Sequence, residues 1–187
     1  FHMNAMPGKK GTTSMWEKVL RLARQNYAAG VGGATNERYR AMMWNPAPAM
    51  YSDYLTWCEY EYGITFIIDS MTYNTQPLID TSSPDSMLLG LGHNTMNGPM
   101  ARHTRGPMEN YFGDMFKAYE YFDLDMIVMA GHIGCKNTAA LNQIMREECR
   151  RRNIPLCIFE YDLMDPRVVS QERSEERRVG KECFVPC

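Results

Sequence analysis

The residue types that could carry chemistry are concentrated in one short segment, GHIGCKNT, residues 131–138. It joins a predicted apolar strand to a predicted helix. Its two glycines allow the backbone to turn sharply and to approach a ligand closely. The start of a helix offers unpaired N–H groups and a positive partial charge, which stabilise a thiolate, and Lys136 adds to this effect. The pattern indicates Cys135 as a nucleophile or a soft-metal ligand, with an inert cysteine in a turn as the alternative.

The other cysteines do not complete a metal site. The sequence contains six cysteines and no visible secretory signal, so we expect a reducing compartment and cysteines that are thiols or metal ligands rather than disulfides. Cys58 and Cys149 fall on apolar faces of predicted helices and Cys157 falls within a predicted strand, which is typical of small core residues. Because an iron–sulfur cluster needs three or four thiolates, a cluster here would require ligands from elsewhere. No phosphate-binding glycine motif supports nucleotide binding.

Hydrophobic periodicity predicts the elements that position Cys135. Helical spacing favours helices at residues 15–29, 51–62, 108–122 and 138–152. Short apolar runs favour strands at residues 38–44, 64–68, 125–130 and 154–159, the last three apolar enough to be buried on both faces. Residues 71–107 are long, irregular and rich in Pro and Gly, which is typical of a functional or partly helical stretch.

The alternation of strands and helices predicts an α/β fold with a parallel sheet flanked by helices. Ligands of such sheets bind beyond the carboxyl ends of the strands. Three segments are expected there: residues 69–71, 131–137 and 160–165.

Composition excludes several classes of protein. The 187 residues carry 20 Lys and Arg against 22 Asp and Glu, a net charge of −2, so no basic excess points to nucleic acid or anionic lipid. The longest apolar run, residues 126–130, is far too short to span a membrane. We expect a cytoplasmic protein without nucleic-acid or membrane partners.

The two ends of the chain differ in character from the rest. Residues 1–14 are predicted to be an irregular stretch that precedes the first helix. Residues 173–187, RSEERRVGKECFVPC, continue no pattern of the preceding segment and are interpreted as a foreign or disordered tail. A charged terminal helix is the alternative. If the tail is foreign, Cys183 and Cys187 carry no functional information.

The run GHIGCKNT, the helix after it and then IPLCIFEYDLMDPRVVS resemble the C-terminal half of the 2-hydroxyacyl-CoA dehydratase family. This family is also described as benzoyl-CoA reductase/2-hydroxyglutaryl-CoA dehydratase subunits. The resemblance spans residues 16–172 and is strongest over residues 129–170. It is weaker earlier, where WNP at residues 44–46 and YGITFIIDS at residues 62–70 match the general pattern.

The resemblance implies a subunit built from two flavodoxin-like α/β domains, of the flavodoxin/Rossmann three-layer type. Residues 15–172 correspond to the second domain. One [4Fe-4S] cluster is expected between the domains, with two cysteine ligands from the first domain and Cys135 as the ligand from the second. The chain is therefore expected to be a fragment that is inactive by itself.

The resemblance also implies a reaction and partners. The expected reaction is loss of water from a 2-hydroxyacyl-CoA through a ketyl radical, under anaerobic conditions. The expected partners are a related second subunit in a heterodimer, an ATP-dependent iron–sulfur activator protein and the acyl-CoA substrate.

The resemblance also implies roles for the residues beside Cys135. His132 is expected to hydrogen-bond a cluster sulfide or the substrate carbonyl, and Gly134, Lys136 and Asn137 to lie near the cluster. Ordinary turn and helix-start roles are the alternatives for His132, Lys136 and Asn137. Residues 93–105 contain arginines and histidines that could line a CoA channel or simply lie on the surface. Asp162 and Asp165 are interpreted as structural.

Other functions remain open. Within the family, a subunit of an ATP-dependent benzoyl-CoA reductase and a double-cubane cluster protein are alternatives, the latter requiring additional cysteines. A non-catalytic flavodoxin-like interaction domain is the alternative from a different class.

Overall fold

A computed structural model describes residues 11–45, 53–162 and 165. They belong to two compact units whose boundary lies between Thr35 and Asn36. The described part of the first unit contains helix α1 (Thr12–Ala28), which begins three residues before the predicted start at residue 15. Most of the stretch expected to be irregular and the whole of the expected tail, with Cys183 and Cys187, lie outside the described residues.

The second unit is built on a four-stranded sheet in which all neighbouring strands are parallel, in the order β2-β1-β3-β4. The predicted α/β fold is confirmed. The strands are β1 (Tyr39–Trp44), β2 (Ile64–Asp69), β3 (Met126–His132) and β4 (Leu156–Tyr161). The helices are α2 (Asp53–Tyr62), α3 (Pro84–Asn97), α4 (Ala101–Thr104), α5 (Met108–Tyr121) and α6 (Lys136–Arg151).

Alternating side chains of the two central strands enter two different cores, because successive residues of a strand point to opposite faces. Met42 of β1 and Met129 of β3 belong to the core that the apolar faces of α5 and α6 complete. Met43 and Val128 belong to the smaller core on the opposite face, which Tyr54 of α2 helps to cover. The sheet is therefore the middle layer of a three-layer sandwich.

The runs at residues 64–68 and 154–159 contribute strands as predicted, but the prediction that both strands are fully buried is wrong. Both runs form edge strands, and every residue of β2 is only partly buried. A continuous apolar run is also compatible with an edge strand whose two faces are each half covered, so the pattern alone could not distinguish the two positions.

The long stretch at residues 71–107 is partly helical, since it contains α3 and α4. The start of α3 is fixed by a capping box in which the Ser83 hydroxyl accepts from the Ser86 backbone N–H at 3.1 Å and the Ser86 hydroxyl accepts from the Ser83 N–H at 3.1 Å. Pro84 follows at a position that suits the first turn of a helix. None of the residues of α3 is fully buried, so its sequence lacks a strong apolar stripe of helical period.

Gly63 ends α2 in the predicted way. Its φ is +67°, a left-handed conformation, and its N–H donates to the Glu59 carbonyl at 2.9 Å. A Cβ at this position would lie 2.5 Å from the Asn36 carbonyl oxygen, so a side chain is excluded on two grounds. The chain can then turn directly from α2 into β2.

Within the described residues, none of the helices has both the length and the apolar character that a membrane crossing requires.

Substitution of Met145 by Ala should lower the free energy of unfolding by about 2–5 kcal/mol, because this side chain of α6 is completely buried in the core beneath the sheet. Met96→Ala is the matched control. Met96 is 52% exposed on α3, and its loss should change the stability by no more than about 0.5 kcal/mol. Urea denaturation monitored by circular dichroism measures both, and equal effects would contradict the assigned core.

Candidate functional site at the junction of β1 and β3

The candidate site lies where the chain reverses its direction across the sheet. From β1 the chain passes to β2 on one side, and it later returns past β1 to place β3 on the other side. The crevice beyond the carboxyl ends of two such strands is the usual ligand site of an open parallel sheet. Here Asn45 follows β1 directly, and residues 133–135 connect β3 to α6.

The connection after β3 is shorter than predicted. Gly131 and His132 belong to β3, so the tight turn comprises only residues 133–135, and α6 begins at Lys136. The Cys135 N–H donates to the His132 carbonyl at 2.9 Å, and the Cys135 carbonyl accepts from the Ala139 N–H at 3.0 Å. These bonds place Cys135 directly before the first turn of α6, with its side chain partly exposed.

The surroundings of the Cys135 sulfur favour its thiolate form. Partial burial acts to raise the pKa of the thiol, but hydrogen bonding by the Thr138 hydroxyl and by the backbone N–H groups of Thr138 and Asn137 outweighs it. The pKa of Cys135 is therefore lowered from its ordinary value. The sequence-based expectation of a stabilised thiolate agrees with this environment.

Two tyrosines lie near enough to Cys135 to respond to its charge. Burial raises the pKa of Tyr111, and the negative charge of the Cys135 thiolate raises it further. The pKa of Tyr161, at the end of β4, is raised for the same two reasons in the same order. Both hydroxyls therefore remain protonated and can donate hydrogen bonds at neutral pH.

Asn45 connects the elements around the site. Its side-chain N–H groups donate to the Ala130 carbonyl at 2.9 Å and to the Thr138 hydroxyl oxygen at 3.2 Å. Its side-chain oxygen accepts from the Tyr111 hydroxyl at 3.0 Å. Its backbone N–H donates to the hydroxyl of Ser70, just after β2, at 3.0 Å. One side chain and its backbone thus join β1 to β3, α5, α6 and the end of β2.

Sequence reasoning gives Asn45 no role beyond its place in the WNP pattern at residues 44–46 and gives Tyr111 none. The available signal was position: Asn45 is the first residue after a strand at the reversal of the sheet order, where polar side chains meet ligands. The ring of Tyr111 is buried in the core while its hydroxyl reaches Asn45.

The remaining predicted site residues lie around Cys135. The half-buried ring of His132 lies 6.1 Å, between centroids, from the ring of Tyr161. A Cβ on Gly134 would lie 2.8 Å from His132 Nε2, so the absence of a side chain there makes room for the imidazole. Lys136 and Asn137 are exposed in the first turn of α6.

The other two segments expected at this edge are also found there. Asp69 ends β2, and one of its carboxylate oxygens accepts from the N–H groups of Met71 and Thr72 at 2.7 and 2.9 Å. After β4, the Asp162 carboxylate accepts from the Asp165 N–H at 3.0 Å, in agreement with a structural role. Arg167, the basic residue nearest to these acids in the sequence, lies outside the described residues.

The arginine and histidine at residues 102–103 form a polar cluster of their own rather than an open loop. Arg102 Nε and His103 Nε2 lie 2.9 and 3.1 Å from the same carboxylate oxygen of Asp114. His103 is buried and packs against Trp44, with ring centroids 5.5 Å apart. The Arg102 guanidinium is thus engaged by a carboxylate, which supports a structural role over phosphate binding.

The substitution Asp114→Ala should destabilise the fold by about 1–3 kcal/mol, because it leaves the buried His103 ring nitrogen and the Arg102 guanidinium without their acceptor. The exposed Glu120 on the same helix provides the control, and Glu120→Ala should cost less than about 0.5 kcal/mol. Urea denaturation compares the two variants. A wild-type midpoint for Asp114→Ala would show that the cluster adds nothing to stability.

The metal-ligating side chains at the site can be compared with those that a metal cofactor needs. Of the four cysteines in the described residues, Cys135 alone lies at the carboxyl edge of the sheet. A partly exposed thiolate is a suitable soft ligand for iron. Yet nowhere in the described parts of the chain do three His, Cys, Asp or Glu side chains gather into a metal-binding group. Cys135 therefore fits one ligand position of a cluster, and the described residues do not fit a complete site.

The fold and the site define a flavodoxin-like α/β domain with a thiol at its switch point. The family model described as 2-hydroxyglutaryl-CoA dehydratase, D-component, matches residues 1–180, and the chain belongs to this family. The predicted family is thereby confirmed. Its members are components of a dehydratase, a lyase-type enzyme, and a D-component implies an assembly with other components. No curated protein matched the chain in a sequence comparison.

Cys135 should react with iodoacetamide at neutral pH much faster than Cys149 does. Cys149 is buried in α6, and burial raises its pKa to about 12, whereas the pKa of the partly exposed Cys135 is lowered. The reaction rate of Cys135 should level off at a lower pH than that of a cysteine peptide, since the thiolate is the nucleophile. Mass spectrometry of the metal-free chain resolves the two sites.

The unfolded chain is the control for this labelling. In urea the two thiols should react at similar rates, because both are then solvated. Preferential labelling of Cys149 in the folded chain would contradict the assigned environments.

Proposed function

We propose that the chain is part of a subunit of an iron–sulfur 2-hydroxyacyl-CoA dehydratase, in which Cys135 supplies one thiolate ligand of a [4Fe-4S] cluster. The observation that carries the proposal is the position of this thiol, at the carboxyl edge between β1 and β3 and at the start of α6. Membership of the dehydratase family supports the reaction class.

The remaining ligands would come from outside the described residues. The described part of the chain offers one suitable thiolate, and a [4Fe-4S] cluster requires three or four. We propose that two further cysteines belong to a first α/β domain of the same subunit, so that the cluster lies between two domains. This arrangement would make the cluster accessible to substrate from the open edge of the sheet.

The proposed reaction removes water from a 2-hydroxyacyl-CoA thioester. The hydroxyl leaves from C2 and the proton from C3, and this C3 proton is barely acidic in the ground state. A cluster bound at Cys135 would supply and recover one electron through the thioester carbonyl, and would offer an iron as a Lewis acid for a substrate oxygen. This is why a one-electron, ketyl-type route suits the reaction.

The residues beside Cys135 would orient the reactants. His132 Nε2 lies beside Gly134, the residue that directly precedes Cys135. An N–H donor at this position could reach a substrate carbonyl oxygen or a cluster sulfide. Lys136 and Asn137 extend from the first turn of α6, and their charge and hydrogen bonds would adjust the local potential. The backbone N–H groups of Asn137 and Thr138 stabilise negative charge on the sulfur.

The proposed partners are a related second subunit, which completes a heterodimer, and an ATP-hydrolysing iron–sulfur activator that delivers the electron. The D-component description supports an assembly. The dehydration itself is redox-neutral, so the substrate does not supply the electron that starts the reaction, and the activator must deliver it.

The direct test measures iron, acid-labile sulfide and electron paramagnetic resonance spectra, anaerobically, on the full-length subunit with its partner subunit. Cys135→Ala should lose about four irons per subunit, or convert the cluster to a three-iron form. Cys157→Ala is the matched control, because Cys157 lies within β4 and should leave the iron content unchanged.

An unchanged iron content in Cys135→Ala would overturn the proposal and reduce Cys135 to a residue of the turn. Product analysis separates the alternative within the family. Release of water and formation of an enoyl-CoA support a dehydratase, whereas reduction of an aromatic thioester without loss of water would identify a benzoyl-CoA reductase.

A further inference from the structure

Helix α3 has its apolar side exposed. Every leucine and methionine of the helix is exposed, and Leu88 and Leu89 are exposed to 68% and 75%. The half-buried positions of the helix and its N-cap are all polar or glycine: Ser83, Ser86, Gly90, Asn94 and Asn97. This is the reverse of an ordinary surface helix, whose apolar stripe faces the core.

The inward side of α3 is occupied by the irregular segment that precedes the helix. Asn94 Nδ2 donates to the Pro77 carbonyl at 3.3 Å. A Cβ on Gly90 would lie 2.7 Å from Ile79 Cγ2, so this glycine lets the segment pack directly against the helix. These contacts fix which side of α3 faces outward, and the apolar side could turn inward only by breaking them.

Gly92 lies at the centre of the exposed side and has no such contact to explain it. A Cβ at this position would have no neighbour within 4 Å, although glycine inside a helix is less favourable than alanine. Leu88 and Met96 lie one turn before and one turn after Gly92, and Leu89 flanks it. We call Leu88, Leu89, Gly92 and Met96 the outer stripe. Exposed contiguous apolar surface is typical of a protein–protein contact, and a central glycine lets a second backbone approach closely.

The charges at the two ends of the outer stripe are opposite. Asp85 is exposed in the first turn of α3, about 10 Å before Gly92 along the helix axis. At the other end, the exposed residue Arg105 donates from Nη2 to Asn97 Oδ1 at 2.6 Å. This bond holds the guanidinium against the last turn of the helix, about 8 Å beyond Gly92. The acid and the base, at similar distances from the centre, match the same surface turned end to end.

We propose that the outer stripe is a contact surface for a second copy of this chain, with the two α3 helices packed antiparallel about a two-fold axis near Gly92. In this arrangement Leu88 of each copy lies against Met96 of the other, and Asp85 of each copy faces Arg105 of the other. A two-fold contact uses one surface twice, so a surface that is complementary to itself fits a second copy better than an unrelated protein. The inference is independent of the proposed function, because no cluster or substrate takes part.

Sedimentation equilibrium of the whole chain over a range of concentrations tests the contact. One helix against one helix is a small contact, so the wild-type chain should pass from monomer to dimer between about 1 μM and about 1 mM. Leu88→Glu should remove the dimer, because the two-fold axis places both new carboxylates in the apolar contact.

Leu78→Glu is the matched control for Leu88→Glu. Leu78 is 99% exposed, and it lies in the segment that packs against the inward side of α3. Its substitution should leave the association unchanged. Circular dichroism checks that both variants keep the helix content of the wild type.

Two charge variants test the antiparallel direction. Asp85→Arg places two arginines opposite each other at both ends of the contact, and Arg105→Glu places two acids there. Each variant alone should dimerise about tenfold more weakly than the wild type, or worse. In an equimolar mixture, every arginine of the first variant faces an acid of the second, so mixing should restore the dimer. A variant that had lost its fold would not be rescued in this way.

Three results would overturn the inference. A wild-type chain that is still monomeric at about 1 mM would leave the outer stripe to a different domain or subunit. Charge variants that stay monomeric when mixed would exclude the antiparallel contact. A dimer that persists unchanged in Leu88→Glu would assign the association to another surface, such as the exposed apolar residues of α1.

Discussion

The pairing of β1 with β3 is the constraint on which the site depends. These strands are not consecutive in the chain, and their register sets Trp44 opposite Met129. That register brings the residue after β1 to the level of the last residues of β3, so that the Asn45 side chain can reach the Ala130 carbonyl. A shift of one residue would turn every side chain of β1 to the opposite face and separate these groups. The edge that carries Cys135 is thus specified by packing in the interior.

The core and the site share residues, so the packing of the core also holds the edge in place. Tyr111 fills the core under the sheet with its ring and holds Asn45 with its hydroxyl. Leu141 and Met145 anchor α6 against the same core, and α6 carries the N–H groups that face Cys135. A site built on packed elements keeps its donors in place without a ligand, which is what a preorganised ligand environment requires.

Sequence patterns predicted the elements well because the central strands and the amphipathic helices have strong periodicities. They failed where tertiary context decides. The runs that became β2 and β4 are as apolar as β3, and only the strand order makes them edges. The position of Cys135 followed from local sequence, since a glycine turn before a helix is a short-range signal. Asn45 and Asp114 could not be found in this way, because their partners lie tens of residues away or on another helix.

The donors around Cys135 bear on the two chemistries that its position allows. A nucleophilic cysteine is activated by a base that removes its proton or by surroundings that lower its pKa. The pKa of Cys135 is lowered by a hydroxyl and two backbone N–H groups, all of which donate and none of which takes a proton. Such donors stabilise negative charge on the sulfur and raise the fraction of thiolate at neutral pH. A thiolate held in this way suits a ligand that remains coordinated through a catalytic cycle, and membership of the dehydratase family is the reason to propose a ligand rather than a nucleophile at this position.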